Sequence, residues 1–226
     1  MNTRAGPEKW SLSDLLALVA LQPLMPRYVA WTAWSMRPAA IATVINEIQL
    51  KQRQVVVELG SGTSTVFLAQ ALVGTGGHLV SIEHDPEWAA YVSGLLERAG
   101  LGDVARVEVM ALVPLDMPVG VTRWRHPATW YDVAHLRTVV PDNIDMLVVD
   151  GPPAGDEPDV LIRAPAVFAL ASRLASDYTI VLDDIDRAAE RETVRRWEDD
   201  LRIEIDVIER LALAIGRSTA GLIPSL

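Results

Sequence analysis

Two groups of residues in this chain have the types and spacing that chemistry needs. The first is Glu58-Leu59-Gly60-Ser61-Gly62, a carboxylate followed by two glycines, with the hydroxyls of Thr63, Ser64 and Thr65 behind it. The second is a set of acids, Glu83, Asp150, Asp183 and Asp184, that close runs of apolar, largely β-branched residues. A strand, a glycine turn and a helix N-terminus together make a nucleotide-type pocket, because the turn leaves backbone amides facing outward. Glu83 comes 25 residues after Glu58, where a strand-end acid can take both hydroxyls of a ribose. His84 or Trp88 beside it can cover an adenine face. The ligand class is narrowed by what is missing. Thr65 stands where a dinucleotide fingerprint has its third glycine, and no Gly-Lys-Ser/Thr follows as in a P-loop. Glu58 next to the turn suits a cationic amino group better than a pyrophosphate.

Asp150, Asp183 and Asp184 should share one edge of a sheet, since each follows an apolar strand. Clustered carboxylates repel one another unless a proton or a cation intervenes. All-oxygen donors of this kind suit Mg²⁺ or Ca²⁺. The competing readings are a helix N-cap for Asp184 or Asp186, and a cofactor or substrate contact for Asp150. Candidate bases are His126, His135 and the acids themselves, Asp150 included, since histidine titrates near neutral pH. The stretch Arg123-Trp124-Arg125-His126, with Trp130 and Tyr131 after it, is basic and aromatic within an acidic protein. It reads as an acceptor-binding loop, with a ring stacked on Trp124, Trp130 or Tyr131 and an anionic group on Arg125. Its structural reading is packing and surface salt bridging.

These residues need elements to position them. Strands are expected over 54–59, 78–83, 105–110, 144–149 and 179–182, with two more over 203–208 and 213–223. Helical patterns fall over 86–98, 163–175 and 187–201. Alternation of this kind implies a mostly parallel sheet with helices on both faces. The last two strands leave no room for a crossover helix, so they should form an antiparallel hairpin. Residues 1–50 read as a helical cap, and residues 51–226 as the ligand-binding domain. In the cap, Ser11 or Ser13 starts one helix, 27–36 forms a second, and Pro38 begins a third that carries Ile41, Val44, Ile45 and Ile48. The aromatics Tyr28, Trp31 and Trp34 either pack in the core or line a lid over the ligand. Two long stretches, 113–130 and 151–161, follow strand ends and read as functional loops.

Composition sets outer limits. The chain has 226 residues, half of them hydrophobic, which suits one domain with a large core. A net charge of -10 argues against nucleic acid as a partner. With no cysteine there is no disulfide and no thiolate chemistry, which fits a cytoplasmic enzyme. The apolar run 12–21 is too short to span a membrane and is interrupted by Asp14. A small-molecule acceptor and a homodimer complete the expected partners.

The ordered set Glu58-Leu59-Gly60-Ser61-Gly62, Ile82-Glu83, Val148-Val149-Asp150-Gly151-Pro152 and Val181-Leu182-Asp183-Asp184 resembles the class I S-adenosylmethionine-dependent methyltransferases. The resemblance covers 54–226 and implies a Rossmann-like α/β fold with seven strands, the last antiparallel. By that resemblance Glu58, Gly60, Ser61, Gly62 and Ser64 hold the methionine end of S-adenosyl-L-methionine. Glu83 holds its ribose, Ala111 and Leu112 contact its adenine beside His84, and Asp150 faces the reacting end. The core is most similar to catechol and caffeoyl-coenzyme A O-methyltransferases and to related natural-product enzymes. Those bind a metal through an Asp after the fourth strand and an Asp-Asn pair after the fifth; the matching positions here are Asp150 and the pair Asp183-Asp184, which implies Mg²⁺ or Ca²⁺. One departure stands out: the lysine base of the catechol enzymes would fall in Gly151-Pro152-Pro153, where there is none. The expected activity is O-methylation of a small-molecule hydroxyl. Metal-independent O- or N-methylation, or a non-catalytic cofactor-binding scaffold, are the alternatives.

Overall fold

Period-two alternation in the central strands sorts their side chains onto two faces. In the computed structural model, which describes residues 10–25, 28–115, 125–153, 160–201, 205–208 and 211–217, each face has its own core. Val56, Leu79, Met146, Val148 and Val181 point one way, into a core completed by Ile41, Val44, Ile48 and Phe67. Val57, Val80, Ile82, Leu147, Val149, Ile180 and Leu182 point the other way, against Trp130, Tyr131, Leu136, Val167 and Trp197.

The strands β1 (Val55–Leu59), β2 (His78–Glu83), β3 (Ala105–Val109), β6 (Ile144–Val149) and β7 (Leu174–Leu182) run parallel. The antiparallel pair β8 (Ile205–Ile208) and β9 (Leu211–Arg217) closes one edge, giving the order β3-β2-β1-β6-β7-β9-β8. The expected extension of the last strand past Arg217 lies outside the described residues. Strand order reverses between β1 and β6, and ligands of open α/β sheets bind at such a switch point. In one transverse row Ile82, Leu59, Val149 and Leu182 are register partners. The residues directly after that row are Glu83, Gly60, Asp150 and Asp183. The ladder continues through them, with Gly60 N–H donating to Ile82 (2.8 Å), Asp150 to Leu59 (2.9 Å) and Asp183 to Val149 (3.1 Å).

The helices are α1 (Leu12–Leu21), α2 (Pro38–Lys51), α3 (Thr63–Leu72), α4 (Pro86–Arg98), α5 (Val133–Val139), α6 (Pro165–Leu170) and α7 (Ala188–Leu201). None is long and apolar enough to cross a membrane. Three expectations are corrected. No helix forms over the described part of 27–36, because Thr32 and Ser35 bond their own backbone: Ser35 Oγ accepts from Thr32 N–H (2.9 Å) and Thr32 Oγ1 from Trp34 N–H (3.2 Å). The helix expected over 163–175 is α6 alone with a 3₁₀ turn, Ala171–Arg173. Pro165 sets its start, and Leu174 already belongs to β7, which pairs with Ile144 there. The loop expected over 113–130 instead begins and ends in strands, β4 (Leu112–Pro114) and β5 (Thr129–Tyr131), paired antiparallel.

One buried ion pair anchors the N-terminal helices. Asp14, 1% exposed, caps α1 through Ser11 and accepts from Arg37 Nε (2.9 Å) and, weakly, from Ala39 N–H (3.3 Å). Burial alone would push its carboxyl up, but the Arg37 guanidinium and these donors hold it down to about 2. A depressed folded value means that the stabilisation is full above the unfolded value of 3.8 and is lost as pH falls toward 2. Asp14→Asn is therefore expected to cost about 1–2 kcal/mol at pH 6 and progressively less below pH 4. Urea titrations of both proteins across that range check this, and a cost independent of pH would rule it out.

Candidate active site

The glycine turn sits at the switch point because two backbones touch there. Gly60 has φ +92°, and a Cβ on it would lie 2.8 Å from Gly151 N. A Cβ on Gly151 would in turn meet Gly60 Cα at 2.7 Å and the Tyr131 hydroxyl at 3.1 Å. Gly62 is the opposite case: a Cβ there would find nothing within 4 Å, so open space lies over the start of α3.

The hydroxyls after the turn do not fan out as simple helix caps. Thr65 Oγ1 accepts from Gly62 N–H (2.8 Å) while donating to Glu58 Oε2 (2.6 Å). Ser64 donates to Glu58 Oε1 (2.6 Å) and Ser81, from β2, donates to Oε2 (2.6 Å). Thr63 donates instead to the Ala30 carbonyl (2.7 Å) and meets Ser35 Oγ (3.1 Å), which lays the 28–37 segment against the turn. Glu58 is thus wholly buried beneath the turn. The expectation that it presents an open charge to the ligand is corrected: three hydroxyls have turned it inward. Burial pushes its carboxyl above the ordinary value despite those donors.

Glu83, itself buried at 4% exposed, is bound to the turn rather than lying beneath it. Its Oε2 accepts from Ser61 N–H and Ser61 Oγ, both at 3.0 Å, and its Oε1 from His84 N–H (2.8 Å) and Asp85 N–H (2.9 Å). His84 Nδ1 lies 2.7 Å from the same oxygen. Trp88 donates from Nε1 to the Ser61 carbonyl (2.8 Å), so its ring is fixed beside the turn. Ala111 is exposed just past β3, and Leu112, half-buried, opens β4. Met110 N–H donates to the Glu83 carbonyl (2.7 Å), so the step into β4 lies beside the end of β2.

On the other side of the switch point, one oxygen from each of Asp150, Asp183 and Asp184 lies within 4.8 Å of the others. Asp184 turns through φ +62°, which lets its side chain return toward the sheet end. Sequence reasoning missed the residue at the centre. Arg163, 3% exposed, donates from Nη2 to the Asp150 carbonyl (2.7 Å) and Oδ1 (3.1 Å), and from Nη1 to the Asp183 carbonyl (3.1 Å). The same Nη2 lies 3.2 Å from Asp184 Oδ2, which Arg187 also approaches at 3.0 Å. A helix pattern from 163 onward hid it; its one signal was an arginine directly before Ala-Pro, where a helix starts. Burial and then Asp183 drive the Asp150 carboxyl well above the usual range, with Arg163 pulling it back.

The remaining expected residues divide clearly. Trp130 and Tyr131 are fully buried, because β5 feeds both rings into the second core. Neither offers a face for stacking, which corrects that expectation. The Tyr131 hydroxyl, pushed up by burial and by Glu83, has no hydrogen-bond partner among the described residues. Trp124 lies outside the described residues. Arg125 is exposed, and its backbone bridges to Val160, with Leu161 N–H donating to its carbonyl (2.9 Å), so the two long loops converge. His126 follows, half-buried, with its Nδ1 enclosed and without a hydrogen-bond partner among the described residues. Burial and the nearby Arg196 lower its pKa, so it stands neutral at pH 7. His135 is exposed in the first turn of α5, its N–H capped by Asp132 (3.1 Å), and nothing links it to the acids among the described residues.

A family model described as a methyltransferase domain matches residues 57–185, from β1 to the acids after β7. The chain belongs to this family. It is a methyltransferase, and the matched span holds the glycine turn, Glu83, Asp150, Arg163, Asp183 and Asp184. No curated protein matches the chain. Among solved structures, the methyltransferase is similar to an O-methyltransferase from Bacillus cereus in complex with SAH, at 16% identity and TM-score 0.57, covering 92% of each chain. It is similar also to cofactor-bound Rv0187 from MTB, at 21% identity and TM-score 0.59, covering 96% of this chain and 94% of that one. A third is the O-methyltransferase TomG from Streptomyces achromogenes, involved in tomaymycin synthesis and in complex with SAM. It shows 19% identity and TM-score 0.57, with 93% and 92% covered. At these identities the likeness is one of fold.

Proposed function

We propose that this methyltransferase uses S-adenosyl-L-methionine to methylate a hydroxyl of a small molecule, with one divalent cation, Mg²⁺ or Ca²⁺, at the acid cluster. The observation that carries the reading is the single row of strand ends. It sets the glycine turn and Glu83 on one side of the Gly60–Gly151 contact, and Asp150, Asp183 and Asp184 on the other. The residues fit the cofactor: the open space over Gly62 is what a Cβ would fill, and Glu83 stands beside it. They also fit a hard cation, since one oxygen from each of three carboxylates lies within 4.8 Å of the others.

When bound, S-adenosylmethionine supplies an activated methyl, and the cation supplies Lewis acidity that lowers a hydroxyl's pKa. The protein's own part is alignment. Gly62 leaves room over the start of α3, and Glu83, bonded to Ser61 beside that space, would hold the ribose. Glu58 acts from beneath, locking Ser64 and Thr65 so that the α3 amides keep one orientation. Asp150, Asp183 and Asp184 would hold the cation that fixes the acceptor oxygen, and His126 is the candidate to accept its proton. The 28–37 segment, tied to Thr63, forms the lid side, and Arg125 meets the acceptor. A reducing cytoplasm suits a chain without cysteine.

Calorimetry should show S-adenosylhomocysteine binding and no NAD binding. Asp183→Ala should lower kcat/KM by about a hundredfold on an acceptor found by labelled-cofactor screening, with homocysteine-analogue affinity unchanged. EDTA should act in the same direction. Full activity in EDTA would remove the metal from this reading, and absence of S-adenosylhomocysteine binding would remove the cofactor.

A further inference from the structure

The three acids alone would say little, since carboxylates at a sheet edge are common. What sets this cluster apart is the buried guanidinium inside it. Arg163 has its Nη2 between Asp150 Oδ1 (3.1 Å) and Asp184 Oδ2 (3.2 Å), bridging acids from two different strands. It also pins both backbones, through the carbonyls of Asp150 and Asp183. Behind it, Glu190 from α7 is 2% exposed, and neither of its carboxylate oxygens has a hydrogen-bond partner among the described residues. Its Oε1 lies 3.9 Å from Arg163 Nε, which is itself buried without a hydrogen bond. Four carboxylates therefore lie around Arg163, and Arg187 is within ion-pair reach of Asp184.

A planar guanidinium bridging two carboxylates does the work that a bridging metal ion does, with fixed geometry and fixed charge. We propose that Arg163 is the resident cation of the acid cluster, a positioning residue that holds the ends of β6 and β7 together. Its charge and that of a divalent ion are interchangeable there. The acids stay gathered before any metal arrives, and the site needs one divalent ion at most. This rests on the cluster being the acceptor side of the proposed site, but not on metal being required for turnover.

The test uses Mn²⁺ alone as the probe, with the full chain. Wild type, Arg163→Gln and Arg163→Lys are compared by Mn²⁺ electron paramagnetic resonance and by thermal melts in EDTA and in Mn²⁺. Removing a charge a few ångströms from the acids should tighten Mn²⁺ binding of Arg163→Gln by about tenfold or more over wild type. Its melting temperature should fall in EDTA and recover in Mn²⁺, while Arg163→Lys, which keeps the charge, should gain much less from the ion. If Arg163→Gln folds only with Mn²⁺ present, that is the same result in stronger form. Binding by Arg163→Gln and not by wild type supports the inference while removing the metal from the proposed function. Mn²⁺ affinity of Arg163→Gln equal to or weaker than wild type, or failure to fold in both conditions while Arg163→Lys folds, overturns it.

Discussion

Alanine at Gly60 is expected to cost this methyltransferase its fold, whereas threonine at Gly62 is expected to cost it the cofactor and little else. The two glycines are two residues apart, and sequence gives no reason to treat them differently. The structure does. At Gly60 a Cβ would sit 2.8 Å from Gly151 N and 2.9 Å from Gly151 Cα, both backbone atoms of a neighbouring strand end that cannot rotate away. The residue also holds φ +92°, outside what an L side chain readily adopts. Clash and strain together should destabilise by about 4 kcal/mol or more, at the upper end of single substitutions. At Gly62 the same atom meets nothing, and threonine is as good a helix N-cap as glycine. Stability should stay within about 0.5 kcal/mol of wild type. S-adenosylhomocysteine affinity should nonetheless fall by about a hundredfold, roughly 2.7 kcal/mol, because the new side chain fills the ligand's space. Urea denaturation and calorimetry on both variants separate the two effects. If Gly62→Thr binds as tightly as wild type, the space over α3 is not the cofactor's.

How much of this was legible in the sequence follows from which forces act locally. The bounds expected for β2, β6 and α4 coincide with those in the structure, as buried central strands are largely apolar and Pro86 marks a helix start. The positions of Glu83, Asp150 and Asp183 at one edge were readable too, since each ends such a run. Direction was not. Nothing near Glu58 in sequence says that Ser81, 23 residues on, would join Ser64 and Thr65 in drawing it inward. Trp130 and Tyr131 read as an exposed aromatic pair because β5 is only three residues long, too short to register as a strand. Arg163 is the plainest omission. Its partners come from two strand ends and a helix, 13 to 27 residues away, and no periodicity reports an ion pair of that range.

Glu58→Ala should be the second severe change, and for a reason unconnected with ligand contact. The carboxylate is fully buried and receives hydroxyl hydrogen bonds from Ser64, Thr65 and Ser81, each 2.6 Å long. Deleting it strands those hydroxyls and opens a void under the turn, at a cost of about 3–5 kcal/mol. Glu58→Gln keeps the volume and one acceptor oxygen, and the hydroxyls can rotate to accept from its amide, so about 1–2 kcal/mol is expected there. The pH dependence distinguishes the two terms. Burial raises the folded Glu58 carboxyl above its ordinary 4.5, so the folded state holds its proton more tightly than the unfolded chain does. That contribution is full below the unfolded value and is lost as pH rises through the folded one. Glutamine does not titrate, so the stability gap between wild type and Glu58→Gln should narrow as pH rises above 4.5. Urea titrations of both proteins between pH 4 and pH 8 measure it. A gap that widens instead would mean that the three hydroxyls outweigh burial and that Glu58 is held as a carboxylate, a fixed negative charge under the turn.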